Sequence, residues 1–364
     1  MKIAEITLHW LDLPLVTPYS LSYRTFETFE PLLVELRDGD GRRGWGEAHI
    51  SPGSSSETRE GGDALARALA PRLVGQKTAA AKREIAAHLE DSKVAASAFM
   101  AAVEMLEGSP LLEAKQETRL ALLTAFNATA PQEVPVEVER RLGQGFRTFK
   151  IKVGKDVDAD LARVAAIQKA TEGRASFRID ANRAYSRDDG SRFAQALDPA
   201  GIELFEQPCA ADDWEANAAV AAVSTVPLML DEPICDLPDI ERAATIPNVG
   251  FCKLKLKRFG GPERLASALK KVRAVGLSPV LGDGLGCEVS CWMEACVAHG
   301  LVENAGEFNG YLKPKGRLFA EPLPFENGTL ILPQGYRPEI DEKKLAAART
   351  QQERFAPNRV AQSA

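Results

Sequence analysis

The sequence predicts an α/β protein, a (β/α)8 TIM-like barrel carrying an α+β capping domain built from the N-terminus and the C-terminal segment. Three observations point there. After residue 116, eight short apolar runs alternate with amphipathic stretches at a period of roughly 25 to 30 residues, as when helices join the strands of a parallel barrel. The first 48 residues instead read as strands joined by a tight turn, followed by an alanine-rich helical stretch. Finally, 364 residues exceed the roughly 250 to 300 that one hydrophobic core supports. A doubly wound sheet is the alternative topology.

Ile3 to Leu13, Leu32 to Leu36 and Arg43 to Ala48 are the predicted cap strands, with Asp38-Gly39-Asp40-Gly41 as the hairpin turn between the last two. From Glu60 to about Glu113 apolar residues fall at helical spacing, as in Ala64, Leu65 and Leu69 and again in Ala96, Phe99, Val103 and Leu106. The predicted barrel strands are Leu120 to Phe126, Thr148 to Val153, Ser176 to Asp180, Glu203 to Glu206, Pro227 to Asp231, Gly250 to Lys255, Ser278 to Leu281 and Ala305 to Phe308. Residues 1–115 thus form the expected cap, 116–313 the barrel, and 314–364 a segment returning to the cap whose charged tail after Pro338 is expected to fray.

A net charge of −6 offers no basic footprint for nucleic acid or an anionic membrane surface. No run of about 18 apolar residues suits a bilayer span, and the first residues lack a signal-peptide pattern, so a cytoplasmic location is expected. The six cysteines, Cys209, Cys235, Cys252, Cys287, Cys291 and Cys296, include no CxxC pair and no histidine at zinc spacing. Reduced and mostly buried thiols are expected.

In a parallel barrel the C-terminal ends of the strands converge on one pocket. Polar residues stand there repeatedly: Lys150 and Lys152, Asp180 and Asn182, Glu206 before Gln207-Pro208, Asp231-Glu232, and Lys253 with Lys255. Asp180, Glu206 and Asp231 follow at spacings of 26 (180 to 206) and 25 (206 to 231), one per consecutive strand. Such a ring suits a hard cation that takes oxygen ligands; the blander alternative is that each acid caps the helix after its strand. Alternation along a strand points Lys150 and Lys152 the same way, and likewise Lys253 and Lys255. Crowding ammonium groups beside a cation disfavours their charge and lowers one of them toward the proton-accepting range. Lys255 reads as functional; Lys253, taken as near the strand start, reads as facing solvent at the barrel bottom.

Together, Lys150-x-Lys152, Asp180-x-Asn182, Glu206-Gln207-Pro208, Asp231-Glu232 and Lys255 followed by Gly260-Gly261 resemble the enolase superfamily, muconate-lactonizing enzyme subgroup. The resemblance extends over nearly the whole chain, including Gly44-Trp45-Gly46-Glu47-Ala48 in the cap. It implies a modified enolase-type barrel and a Mg2+-dependent isomerase that removes the proton α to a carboxylate through an enediolate. By the same resemblance Asp180, Glu206 and Asp231 bind Mg2+, Asn182 and Glu232 support them, Lys152 is the base on one face, Lys255 is the base or electrostatic group on the other, and Lys150 helps to hold the carboxylate. The closest likeness is to dipeptide epimerases and N-acylamino-acid racemases, so the first expectation is racemisation or epimerisation of amino-acid or dipeptide derivatives. A muconate-type cycloisomerase or an acid dehydratase is the second. The loop around Tyr23-Arg24-Thr25 would close over the substrate. Dipeptide epimerases carry Asp-x-Asp near the eighth strand where this chain has Glu307-Phe308-Asn309; Arg24, Asp283, Glu307 and Asn309 are the candidates for substrate binding. A small-molecule carboxylate and further copies of the chain, in a homo-oligomer, are the expected partners.

The superfamily branch that resembles mandelate racemase pairs a late-strand histidine with an aspartate. Here His9, His49 and His88 precede the barrel and His299 falls in the helix after the seventh strand, which disfavours that branch. Gly282-x-Gly284-x-Gly286 lacks the full dinucleotide fingerprint, and Ser51 and Ser54–Ser56 have no nearby His-Asp partnership for a serine hydrolase. A Schiff-base aldolase would use Lys152 or Lys255 but leaves three facing carboxylates without a task.

Overall fold

The computed structural model describes residues 1–21, 24–52 and 57–357; Tyr23 and Ser54–Ser56 lie outside them. The chain begins with five strands, β1 (Ile3–Leu11), β2 (Leu13–Ser20), β3 (Thr25–Phe29), β4 (Leu32–Asp38) and β5 (Arg43–Ala48), then three helices, α1 (Arg59–Leu73), α2 (Thr78–Ala86) and α3 (Lys93–Glu107). It continues through β6 (Thr118–Ala121), β7 (Thr124–Phe126), α4 (Val134–Gly143), β8 (Thr148–Lys152), α5 (Val157–Thr171), β9 (Ser176–Asp180), α6 (Arg187–Ala196), β10 (Ile202–Glu206) and α7 (Trp214–Val223). Then come β11 (Leu228–Leu230), α8 (Leu237–Ala244), β12 (Val249–Leu254), α9 (Leu256–Phe259), α10 (Pro262–Ala274), β13 (Ser278–Leu281) and α11 (Glu288–Ala298). Last are β14 (Phe325–Glu326), β15 (Thr329–Leu332), α12 (Glu342–Ala348) and β16 (Arg349–Phe355).

The cap sheet runs β16-β1-β4-β5, antiparallel throughout. Its period of two sends Leu32, Val34 and Leu36 of β4 into a cluster with the three helices, and Leu33 with Trp45 into the cluster that continues into the barrel. Helix α3 lies directly on β5, starting at the Ser92 cap and ending on the left-handed Gly108. That approach requires Gly46: a Cβ there would collide with the Ala98 carbonyl of α3. Glu47, the next residue, reaches across to the barrel and accepts from the backbone N–H groups of Cys287 (2.5 Å) and Ser290 (3.3 Å) at the start of α11. Burial pushes the Glu47 carboxyl up to about 7.

Two features of the cap differ from expectation. The β2–β3 hairpin, which apart from Leu13 lies outside the three predicted cap strands, pairs Leu13 with Phe29 and Ser20 with Thr25; it stands apart as a two-stranded sheet, where Pro14 and Pro18 are tolerated. The tail after Pro338 does not fray over its described residues, which end at 357. β16 pairs along β1 from Phe355 opposite Ile6 to Arg349 opposite Leu11, satisfying an otherwise open sheet edge, and ion pairs of Arg354 with Glu5 and Arg67 with Glu353 pin it.

Seven parallel strands run in the order β13-β12-β11-β10-β9-β8-β7. The eighth predicted strand, Ala305 to Phe308, forms no regular strand. Its backbone nonetheless closes the barrel: Gly306 donates to Ala121 O (2.8 Å), Leu123 to Gly306 O (3.0 Å) and Glu307 to Leu281 O (2.9 Å). Gly282 takes a φ of 125°, and a Cβ there would strike the Phe308 nitrogen, so closure at this seam depends on glycine. The first predicted strand divides: β6 leaves the barrel to pair antiparallel with β15, and β7 alone carries the parallel ladder. Among the described residues no helix is long and apolar enough to cross a membrane.

Candidate active site

Register brings the chemistry together. β8 pairs with β9 so that Lys152 is opposite Asp180, and β10 pairs with β9 so that Glu206 is opposite Asp180. These residues end their strands at one level, where Lys152 lines a cavity of about 900 Å3 and Asp180 and Glu206 are buried behind its wall. Barrel residues Lys150, Lys152, Asn182, Asp231, Glu232 and Lys255 line it, and the cap adds Tyr19 and Leu21 from the β2–β3 hairpin.

Asp180 and Glu206 are fully buried and Asp231 is 3% exposed. None of them caps a helix: the side chains of Asp156, Ser186, Asp213 and Asp236 do that for α5, α6, α7 and α8. Three carboxylates sunk in a barrel must be neutralised, and the lysines do it. Lys150 Nζ lies 2.9 Å from Asp180 and 2.7 Å from Glu206. Lys152 Nζ donates to Asp180 Oδ2 and Asn182 Oδ1, each at 2.5 Å. Lys255 Nζ is 2.9 Å from Asp231 Oδ2, with Arg258 on the other oxygen at 2.8 Å. Burial works against the charge on Asp180, but Lys150 and Lys152 hold it below the usual carboxylate range. Lys255 and Arg258 likewise outweigh burial and hold Asp231 well below that range. Burial and the neighbouring Asp180 charge raise Glu206, and burial with Asp231 beside it lifts Glu232 to about 7.

A lowered amine was expected, yet Lys150 goes the other way. Burial is outweighed by Asp180, Glu206 and Glu307, which hold it well above its ordinary value. Lys150 therefore stays an ammonium, suited to holding an anion rather than accepting a proton.

No three acids among the described residues converge on a single point, because Lys150 stands between Asp180 and Glu206 while Asp231 is turned to Lys255 and Arg258. The donor set nonetheless fits a hard divalent cation. It is all oxygen and buried; Glu206 Oε2 meets the Lys150 ammonium at 2.7 Å, and Glu232 Oε2 accepts no hydrogen bond.

Lys253 contradicts its expected place. β12 ends at Leu254, so Lys253 lies at the inner, C-terminal end of its strand; it is 1% exposed, its Nζ 3.4 Å from Glu206 Oε1 and paired with Glu307. Of the four substrate-binding candidates, Asp283 and Glu307 line the cavity. Asp283 pairs with Lys257 at 2.6 Å. Asn309 is 8% exposed and bonded to Leu123 O and Lys313 Nζ. Arg24 is exposed and lies over the Phe26 ring, 4.8 Å from its centroid, and is not among the lining residues described. His299 is the exposed C-cap of α11, bonded to Thr118.

Sequence reading missed three supporting residues. Gln207 accepts from the Asp231 backbone N–H at 2.9 Å and so ties β10 to the next strand end. Arg258, one helical turn past Lys255, reaches back to the Asp231 side chain and carbonyl. Glu294 is buried, pushed up to about 8 by burial, and accepts from the Leu256 N–H at 2.8 Å, fixing the peptide after Lys255. Lys255 to Arg258 is the i, i+3 spacing that faces two side chains alike on a helix turn, and it was the available signal for Arg258.

The family model for enolase C-terminal domain-like proteins matches residues 133–342. The chain is 32% identical over 274 residues to the o-succinylbenzoate synthase of Geobacillus kaustophilus, covering 72% of each protein. It is 27% identical over 358 residues to the L-Ala-D/L-Glu epimerase of Bacillus subtilis (strain 168), covering 92% of this chain and 95% of that one. A crystal structure of muconate lactonizing enzyme from Pseudomonas fluorescens complexed with muconolactone superposes with a TM-score of 0.85 at 26% identity, covering 96% of this chain and 99% of that one.

Proposed function

We propose, from the premise that this chain belongs to the enolase superfamily in its mandelate racemase/muconate lactonizing branch and is an isomerase, that it moves the proton α to a carboxylate, racemising or epimerising an amino-acid or dipeptide derivative. The observation that carries this reading is the placement of Lys152 and Lys255. β8 and β12 are four strands apart, which in a barrel closed by an eighth segment sets them across from one another, and both lysines line the same cavity. A substrate carbon between them meets an amine on each face.

Asp180, Glu206 and Asp231 would hold Mg2+, with Asn182 and Glu232 supporting them; when bound, the ion supplies the positive charge that offsets what gathers on the substrate carboxylate as its α-proton leaves. Lys150, kept charged by its neighbours, pairs with that carboxylate and fixes its plane. Lys152 takes the proton on one face and Lys255 returns one on the other, so configuration inverts without a leaving group. Asn182 orients Lys152, and Arg258 keeps Asp231 partnered when Lys255 changes protonation. Leu21 and Tyr19 of the cap help to cover the cavity from above, excluding water from the carbanionic stage.

The test is deuterium uptake. Incubating N-acyl amino acids and dipeptides with enzyme and Mg2+ in D2O, followed by proton NMR and chiral chromatography, is expected to show α-deuteration with both configurations appearing. Release of a leaving group in place of inversion would assign the chain to elimination, and borohydride trapping of a substrate on lysine would assign it to Schiff-base chemistry.

A further inference from the structure

On the reading just given, the substrate's carboxylate is met by Lys150, and the opposite question is what the cavity offers to a positively charged group on the same substrate. Glu307 is the inward carboxylate of the closing segment, and it is already taken. Lys150 Nζ lies 3.1 Å and 3.0 Å from its two oxygens, and Lys253 Nζ pairs with Oε2 as well. Both lysines are buried, 3% and 1% exposed, so neither can swing to water to make room. The neighbouring acid, Asp283, is engaged by Lys257 and by the Leu285 N–H at 3.0 Å. The amide of Asn309 is held on both sides, its oxygen by Lys313 and its nitrogen by the Leu123 carbonyl.

We infer that Lys253 is a specificity-determining positioning residue: its ammonium occupies the Glu307 carboxylate from inside the barrel, so that the site refuses acids whose N-acyl group carries a free ammonium, as a dipeptide does, and accepts acids whose acyl group is uncharged. An incoming ammonium would have to share Glu307 with two buried cations, a like-charge contact at a buried carboxylate. An uncharged acyl group brings no such repulsion, and its carbonyl finds a donor in Lys257 at the cavity wall. The inference rests on the proton-transfer reading and adds to it a substrate class and the residue that sets it.

The experiment compares a matched pair, N-acetyl-L-phenylalanine and L-alanyl-L-phenylalanine, which share the carboxylate end and differ in the free amine. With Mg2+ in D2O, the wild-type enzyme is expected to exchange the α-proton beside the carboxylate of the acetylated acid at least ~10-fold faster. In Lys253→Met, or the milder Lys253→Gln, that ratio is expected to shrink about tenfold as Glu307 loses one partner; a merely structural role would slow both substrates alike and leave the ratio unmoved. Equal or faster exchange from the free-amine dipeptide in the wild type overturns the inference, as does an unchanged ratio in a folded Lys253 variant. Exchange from neither compound overturns the proton-transfer reading itself, which separates that failure from the failure of the selectivity.

Discussion

Lys152→Ala and Lys255→Ala are each expected to slow interconversion of enantiomers by ~10²–10⁴-fold, the usual worth of a positioned acid or base. Each variant should still exchange the α-proton of one enantiomer with D2O, and the two variants should spare opposite enantiomers. The reason is geometric: the amine that remains can remove and return a proton only on its own face. Neither change should unfold the protein, because each leaves its carboxylate a second partner. Asp180 keeps Lys150 at 2.9 Å and Asp231 keeps Arg258 at 2.8 Å. Chirally resolved NMR exchange on the two variants decides the matter. If both spare the same enantiomer, or neither loses any exchange, the two amines do not serve opposite faces.

The second large effect falls on stability. Glu307→Gln removes the negative charge that two buried ammonium groups share, and breaking a buried ion pair costs about 3–5 kcal/mol because the surviving charge is stranded. Lys150 would keep Asp180 and Glu206, but Lys253 would keep only Glu206 at 3.4 Å, so a loss of about 3 kcal/mol is expected in urea unfolding at pH 7. The pH dependence has a definite sign. Despite burial, Lys150 and Lys253 hold Glu307 well below its ordinary value of 4.5, so its contribution is present in full above pH 4.5 and declines as pH falls further toward the folded value. The gap between wild type and Glu307→Gln should therefore be widest near neutrality and narrow on acidification below 4.5. A variant within about 1 kcal/mol of wild type at pH 7 would mean that the cluster is not held as described.

How far the site could be read in advance depended on whether the relevant contact was local. Asp180, Glu206 and Asp231 recur at the strand period, and in a parallel barrel that period places them at one end whatever the loops do. Lys150 and Lys152 were legible for the same reason. Lys253 was not. Alternation alone aligned it with Lys255, but its inward role depends on Glu307, 54 residues further on, whose carboxylate makes a buried ammonium tolerable. Still longer separations hid Glu47, whose partner N–H groups lie more than 200 residues away at the start of α11, and β16, whose polar, charged sequence looks like a fraying tail until β1 supplies its ladder. The eighth predicted strand, Ala305 to Phe308, carries no regular ladder. Three backbone hydrogen bonds and a glycine at position 282 close the barrel without it.

The proposed reaction needs a divalent cation and two opposed amines acting on one carbon in one cavity, and magnesium dependence of α-proton exchange tests it most directly. Protein stripped with EDTA should show no exchange, regain it on addition of Mg2+ in a saturable titration, and fail to regain it when Asp180, Glu206 or Asp231 is replaced by its amide. Exchange that runs undiminished in the stripped protein, or in any of the three folded amide variants, would contradict it.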